Sequence, residues 1–291
     1  MAQKIKRATT YEEQIQKLKE RGCYISDEAF CKLKLKAVNY YRLKAYFFPF
    51  IDENGNYKDG TSFHQVYRIY EFDRKLRAIL FSAVEEVEIY LRSQFSYFHV
   101  HKYGATGYLD ADSFSENKRN YYERFQQNIQ REIDRNCQVA FVKHHIKNYD
   151  GVFPLWAVSE LFTFGMLSRF YNNLKTADQK ALARGLYKTS YKNISSWLRC
   201  CTDLRNICAH YGRLYCRVFS SAPGGMDAMS EAAKHRLWGT VMALRGLYPD
   251  ADKWNSEVLS AMERLLEEYR GDISLYHIAF PENWACELKK K

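Results

Sequence analysis

From Ser62 to Tyr103 the chain contains no glycine and no proline, so this stretch fits a long helix and no fold built of short strands. Ser62 and Gln65 have capping-box spacing at its start, and Gly104 closes it. Inside it Leu76, Ile79, Leu80, Ala83, Val84, Val87 and Leu91 recur at steps of three and four, which puts one face against a core. Helices of globular proteins seldom run so far, and the length predicts a kink or break within it. With 5 prolines and 14 glycines in 291 residues, little elsewhere forces the chain out of helix. The expected fold class is all-α: a helical bundle with additional N- and C-terminal helices and few or no strands.

The flanking segments carry their own punctuation. Thr10-x-x-Glu13 is a capping box, and Gly22 stops the helix it opens. A second helix is expected from about Asp27 to Leu43. Phe47 to Gly60, with Pro49 and the turn Asn54-Gly55-Asn56, reads as a loop with a short hairpin. Ser113 to Tyr149 is charged and reads as an exposed helix or helix pair. Pro154 suits the first turn of a helix whose body is Leu155 to Leu174, and a short helix follows over Ala177 to Tyr187. Asn193 is the expected cap of the next helix, with an apolar stripe at Ile194, Trp197, Leu198, Cys201, Leu204, Cys208 and Tyr211 and an end or bend at Gly212. Beyond the Gly224-Gly225 linker, two helices close the chain near Met229–Leu247 and Asp250–Tyr269. The domain reading is an N-terminal helical segment 1–60, a core 61–220 with a charged insertion 113–150, and C-terminal helices 221–291, together one compact unit.

Lys and Arg number 44 against 34 Asp and Glu, a formal net charge of +10. Such a surplus suits a polyanionic partner without naming one. Eight cysteines include no Cys-x-x-Cys pair, and His210 after Cys208 lacks zinc-ligand spacing, so no metal or cofactor is expected. No stretch approaches the roughly 18 apolar residues needed to span a bilayer, and Met1-Ala2-Gln3-Lys4 leads into charge with no apolar leader. The reading is a cytoplasmic protein with reduced thiols and no membrane partner. Lys289-Lys290-Lys291 is expected to be a frayed, solvated tail, and His144-His145 a solvated face.

The segment that can carry chemistry is Leu204-Arg205-Asn206-Ile207-Cys208-Ala209-His210-Tyr211-Gly212-Arg213-Leu214-Tyr215. Metal-independent RNA cleavage needs a base for the 2′-hydroxyl, a cation for the phosphorane and an acid for the leaving 5′-oxygen. Histidine moves protons near neutral pH, and the guanidinium fork matches phosphate oxygens. Asn206 can orient the phosphate or the imidazole. On one straight helix Asn206 and His210 share a face with Asp203, while Arg205 lies about 140° around from His210. The pair therefore needs a distorted helix or a second copy of the chain. Spacing alone leaves a structural alternative open, in which Arg205 pairs with Glu85 or Glu88 and His210 caps the helix end. Arg92 and His99, seven apart on one face of the long helix, are a second candidate pair, although Arg92 also has Glu88 four residues before it.

The segment resembles the R-N-x-x-x-H form of the HEPN ribonuclease motif, and the chain from about Tyr11 to Arg217 resembles the Abi (abortive infection) family, its Abi-D and Abi-F-like group. The likeness rests on ordered blocks: Asn39 to Leu43, Phe72 to Arg77, Glu88 to Arg92, Tyr103 to Leu109, Pro154 to Trp156, Phe164 to Ser168, Trp197-Leu198 and Leu204 to Tyr215. The resemblance implies a HEPN-type bundle and an endoribonuclease or toxin of phage defence. It implies RNA as substrate, a structured non-coding RNA as partner, and a homodimer with a composite site. Arg205, Asn206 and His210 are the catalytic residues so implied. Arg213, Tyr211 and Tyr215 are expected to bind RNA, the tyrosines by stacking on unpaired bases. The competing reading is an RNA-binding protein on the same scaffold that does not cut. Residues beyond about Ser220 fall outside the resemblance.

Overall fold

Local capping accounts for where the first helix starts in the computed structural model, which describes residues 7–290. The start at Met1-Ala2-Gln3-Lys4 and the final lysine lie outside the described residues. Helix α1 (Tyr11–Glu20) has the expected box: the Thr10 hydroxyl accepts from the Glu13 amide at 3.2 Å, and the Glu13 carboxylate accepts from the Thr10 amide at 2.9 Å. The single helix expected over Asp27–Leu43 is two. Helix α2 (Glu28–Ala37) ends at β-branched Val38 in extended conformation. Helix α3 (Tyr40–Lys44) restarts under Asn39, whose side chain accepts from the Tyr41 amide. The loop that follows holds a one-bridge hairpin between Ile51 and Tyr57.

Helix α4 (Phe63–Tyr103) runs for 41 residues without the expected break, about 60 Å at 1.5 Å per residue. Val66, Ile69, Phe72, Leu76, Leu80, Val84, Val87, Leu91 and Phe95 are buried along it, so core contact supports every turn and no interior cap is needed. At its start the Ser62 hydroxyl accepts from the Gln65 amide at 3.1 Å. The charged segment forms the expected pair, α5 (Arg119–Arg135) and α6 (Ala140–Asn148); α5 buries Tyr122, Phe125, Ile129 and Ile133. After Pro154 the chain makes α7 (Leu155–Val158) and a 3-10 turn before α8 (Phe164–Asn173), not one helix to Leu174. Thr163 caps α8 by accepting from the Met166 amide at 3.3 Å.

Helix α9 (Thr176–Tyr187) is as expected, and α10 (Tyr191–Ala209) is capped by Ser190 rather than by Asn193, which lies inside its first turn. The first closing helix is broken at His235-Arg236 into α11 (Glu231–Lys234) and α12 (Leu237–Leu247). The second is α13 (Ala251–Lys253), which passes through a π-helical turn, Trp254–Leu259, into α14 (Ser260–Glu268); α15 (Trp284–Leu288) follows. The terminal lysines are not a frayed tail as far as Lys290. Its amide donates to Asn255 Oδ1 at 2.9 Å, the Asn255 amide donates back to its carbonyl at 2.8 Å, and its ammonium meets the Tyr248 carbonyl.

The fold is all-α: no strand forms among the described residues, only isolated bridges. Buried apolar residues from Ile15 to Leu288 join in one hydrophobic cluster. At its centre α4 and α10 pack on each other, with α8, α9 and α12 also on α10 and α7, α8, α12 and α14 on α4. Among the described residues no helix is long and apolar enough to cross a membrane.

Candidate functional site

The motif occupies the last turn of α10 because the stripe behind it is apolar. Ile194, Leu198, Cys201, Leu204 and Cys208 are buried, which leaves the opposite face, with Asn206 and His210, exposed. The helix ends in a Schellman turn: the Gly212 amide donates to the Ile207 carbonyl at 2.7 Å and the Tyr211 amide to the Cys208 carbonyl at 3.0 Å. Tyr211 takes the left-handed position of that turn, φ 56°. There a β-carbon is strained, and a glycine would be at ease.

That turn is clamped from behind by residues the motif does not include. Arg42 on α3 donates to the Tyr211 carbonyl at 2.7 Å, and Arg77 on α4 to the Gly212 carbonyl at 3.2 Å. The wholly buried Asp73 carboxylate accepts from the Tyr46 hydroxyl at 2.7 Å, the Tyr215 amide at 2.8 Å and the Leu214 amide at 3.1 Å, and pairs with Arg77. Burial pushes the Asp73 carboxyl up, against the opposing pull of Arg77 and the hydrogen bonds. Arg42, Asp73 and Arg77 lie in two of the blocks singled out in the sequence, over 130 residues before the turn they hold. Their role was invisible there because only the packing of α3 and α4 against the end of α10 brings them together.

Arg205 points another way. Its Nε lies 3.8 Å from Glu88 Oε2, longer than a hydrogen bond, so the guanidinium is held by charge and keeps its donors. Glu88 also takes a 2.5 Å bond from Arg92, which itself donates to the Phe162 carbonyl at 2.7 Å. Burial raises the Glu88 carboxyl while the two arginines oppose it. Arg205 shares a pocket of about 250 Å³ with Phe81, Glu85, Glu88, Ile89 and Arg92, and His210 is not in its lining. The structure thus brings Asn206 and His210 to one exposed face and leaves Arg205 on the neighbouring one.

The remaining expected residues divide. Tyr211 is 69% exposed. Tyr215 is buried at 1%, with its hydroxyl 2.8 Å from His277 Nδ1 and accepting from the Ser274 amide, so it offers no face to a base and the expectation for it fails. Arg213 is half-buried against the Ala45 carbonyl, which ties down part of its fork. Asp203 accepts from Ser220 and Ser221 at 2.8 and 2.7 Å and is a bracket for the following segment. Cys208 is buried, which pushes its thiol up to about 12 and suits packing rather than reactivity. The second candidate pair is ruled out as a surface site: Arg92 supports Glu88, and His99 is wholly buried.

These features define a class: an all-helical protein that presents an Arg-Asn-x-x-x-His motif at the surface, at the end of a core helix. Residues 33–216, more than half of the chain, match the family model described as Abi-like protein. The chain belongs to this family, and with it to the abortive-infection proteins. The match ends just past the clamped turn, so the C-terminal helices lie outside it. No curated protein and no solved structure matches the chain.

Proposed function

We propose that the protein is a metal-independent endoribonuclease of HEPN type, a phage-defence toxin whose active site is completed by a second copy and which is controlled by a structured non-coding RNA. The observation that carries this reading is the placement of Asn206 and His210, exposed together on a rigidly clamped helix end, with Arg205 one face away in a shallow pocket. Phe81 and Ile89, 38% and 55% exposed, flank that pocket and give a second copy an apolar surface to cover. In the composite site the 2′-hydroxyl attacks the adjacent phosphorus and an imidazole takes its proton. The bond to the 5′-oxygen breaks, and that oxygen receives a proton from an imidazolium. A 2′,3′-cyclic phosphate and a 5′-hydroxyl result. Arg205 offsets the charge of the phosphorane.

One observation favours a second reading, RNA binding without cleavage: within a single chain Arg205 is drawn toward Glu88, 3.8 Å away, and faces away from His210. The two separate on His210→Ala and Arg205→Ala. Under the first, each loses about 10²- to 10⁴-fold in cleavage rate and retains RNA binding, and the parent cuts in EDTA to leave a cyclic phosphate. Cleavage that persists in both variants overturns the catalytic assignment. Tight RNA binding by a parent that never cuts selects the second reading.

A further inference from the structure

A groove of about 890 Å³ runs between α5, α8 and α10. Lys118, Arg124 and Arg131 line it from the α5 side, Arg169 from α8 and Arg199 from α10, and no carboxylate of the described residues lines it. The four arginines are exposed, and none forms an ion pair among the described residues, whereas many of the chain's other arginines do. Unpaired like charges gathered around one concavity repel one another, and a bound polyanion relieves that cost. A second observation sits in the lining: Asn173 is 4% exposed, and its amide nitrogen is buried with no acceptor among the described residues. Tyr121, 63% exposed, stands at the rim with its ring free to stack.

The α10 edge of the groove lies on the helix face that carries the motif, a face shared with Asp203, whose carboxylate is taken up by Ser220 and Ser221. Arg199 and Thr202 line the groove, Asn206 follows Thr202 by four residues, and His210 follows Asn206 by four more. Arg199 and His210 are therefore separated by roughly 16 Å along α10, with no change of face between them. We propose that this groove carries the phosphate backbone of single-stranded RNA and delivers the strand to Asn206 and His210, an inference that rests on the RNA reading above. Arginine forks suit phosphate oxygens, and the open trough with an aromatic rim suits unpaired bases.

The test uses the full chain as His210→Ala, so that binding is measured without cleavage, and labelled polyuridine as probe. Adding Arg124→Gln, Arg169→Gln and Arg199→Gln together should weaken binding by more than about tenfold and reduce the slope of log affinity against log salt by about 2, since each single-strand phosphate contact contributes roughly 0.7. The matching triple Arg→Lys variant should restore most of the slope, which excludes misfolding as the cause. Unchanged affinity and slope in the glutamine variant overturn the groove. Polyglutamate bound as tightly as polyuridine, with both lost in that variant, makes the surface one for an acidic protein and overturns the RNA assignment. The nuclease reading fails separately, if the parent does not cut RNA that the groove holds.

Discussion

The chain holds two arginine–histidine pairs on core helices, Arg92 with His99 on α4 and Arg205 with His210 on α10, and the fold treats them oppositely. In α4 the histidine is sealed. His99 has no exposed surface, its ring lies 4.9 Å from Tyr103 and 5.3 Å from both Phe114 and Phe170, and neither nitrogen has a partner among the described residues. Burial lowers it to about 4, with Asp178 opposing and Lys102 assisting. In α10 the histidine stands in solvent on a turn held from behind by Arg42, Asp73 and Arg77. The residue types are the same, and although Arg92 and His99 share a helix face while Arg205 and His210 do not, what decides the fate of each histidine is which side of its helix the neighbours cover. A proton-transfer group must be reached by substrate, and only the second pair meets that condition.

The contrast can be attacked at its supports. The largest expected effect is at the clamp: Asp73→Ala leaves Arg77 buried without its partner and two amides without an acceptor, which should cost about 3–5 kcal/mol in chemical denaturation. A loss below about 1 kcal/mol would mean that the turn carrying His210 does not depend on α4.

The next is the sealed histidine. Its folded pKa of about 4 lies below the unfolded value near 6.5, so the unfolded chain takes up the proton first. Stability present above pH 6.5 should drain as pH falls and be lost by about pH 4, to the extent of about 3 kcal/mol. His99→Phe should flatten that part of the stability–pH curve without lowering RNA cleavage. If it abolishes cleavage in a protein that melts normally, the assignment of His99 to the core is wrong.

The smallest effect concerns the turn itself. Tyr211→Gly relieves a left-handed backbone at φ 56° and should raise stability by about 1 kcal/mol, less the entropy glycine brings to the unfolded chain. Any loss of RNA affinity in that variant, with stability kept, would assign the exposed ring to base stacking.

Much of this architecture was legible before any tertiary contact was known. The apolar stripes of α4 and α10 and the box at Thr10 follow from three- and four-residue periodicity and local capping, which depend only on near neighbours, and the pair α5–α6 was read from its charge. The breaks at Val38-Asn39 and before α8 were missed because they rest on Asn39 and Thr163, ordinary polar residues whose capping bonds are worth about 1 kcal/mol and which read equally well as helix interior. The cap at Ser190, three residues before the expected Asn193, escaped for the same reason.

Tertiary structure alone decided the rest. It turned Tyr215 inward, docked Lys290, joined Arg205 to Glu88, and gathered basic side chains from α5, α8 and α10 into one groove. Sequence spacing fixes which residues share a helix face. Whether that face meets a core, a carboxylate or water depends on segments distant in the chain, and exposure separates a histidine that packs from one that can react.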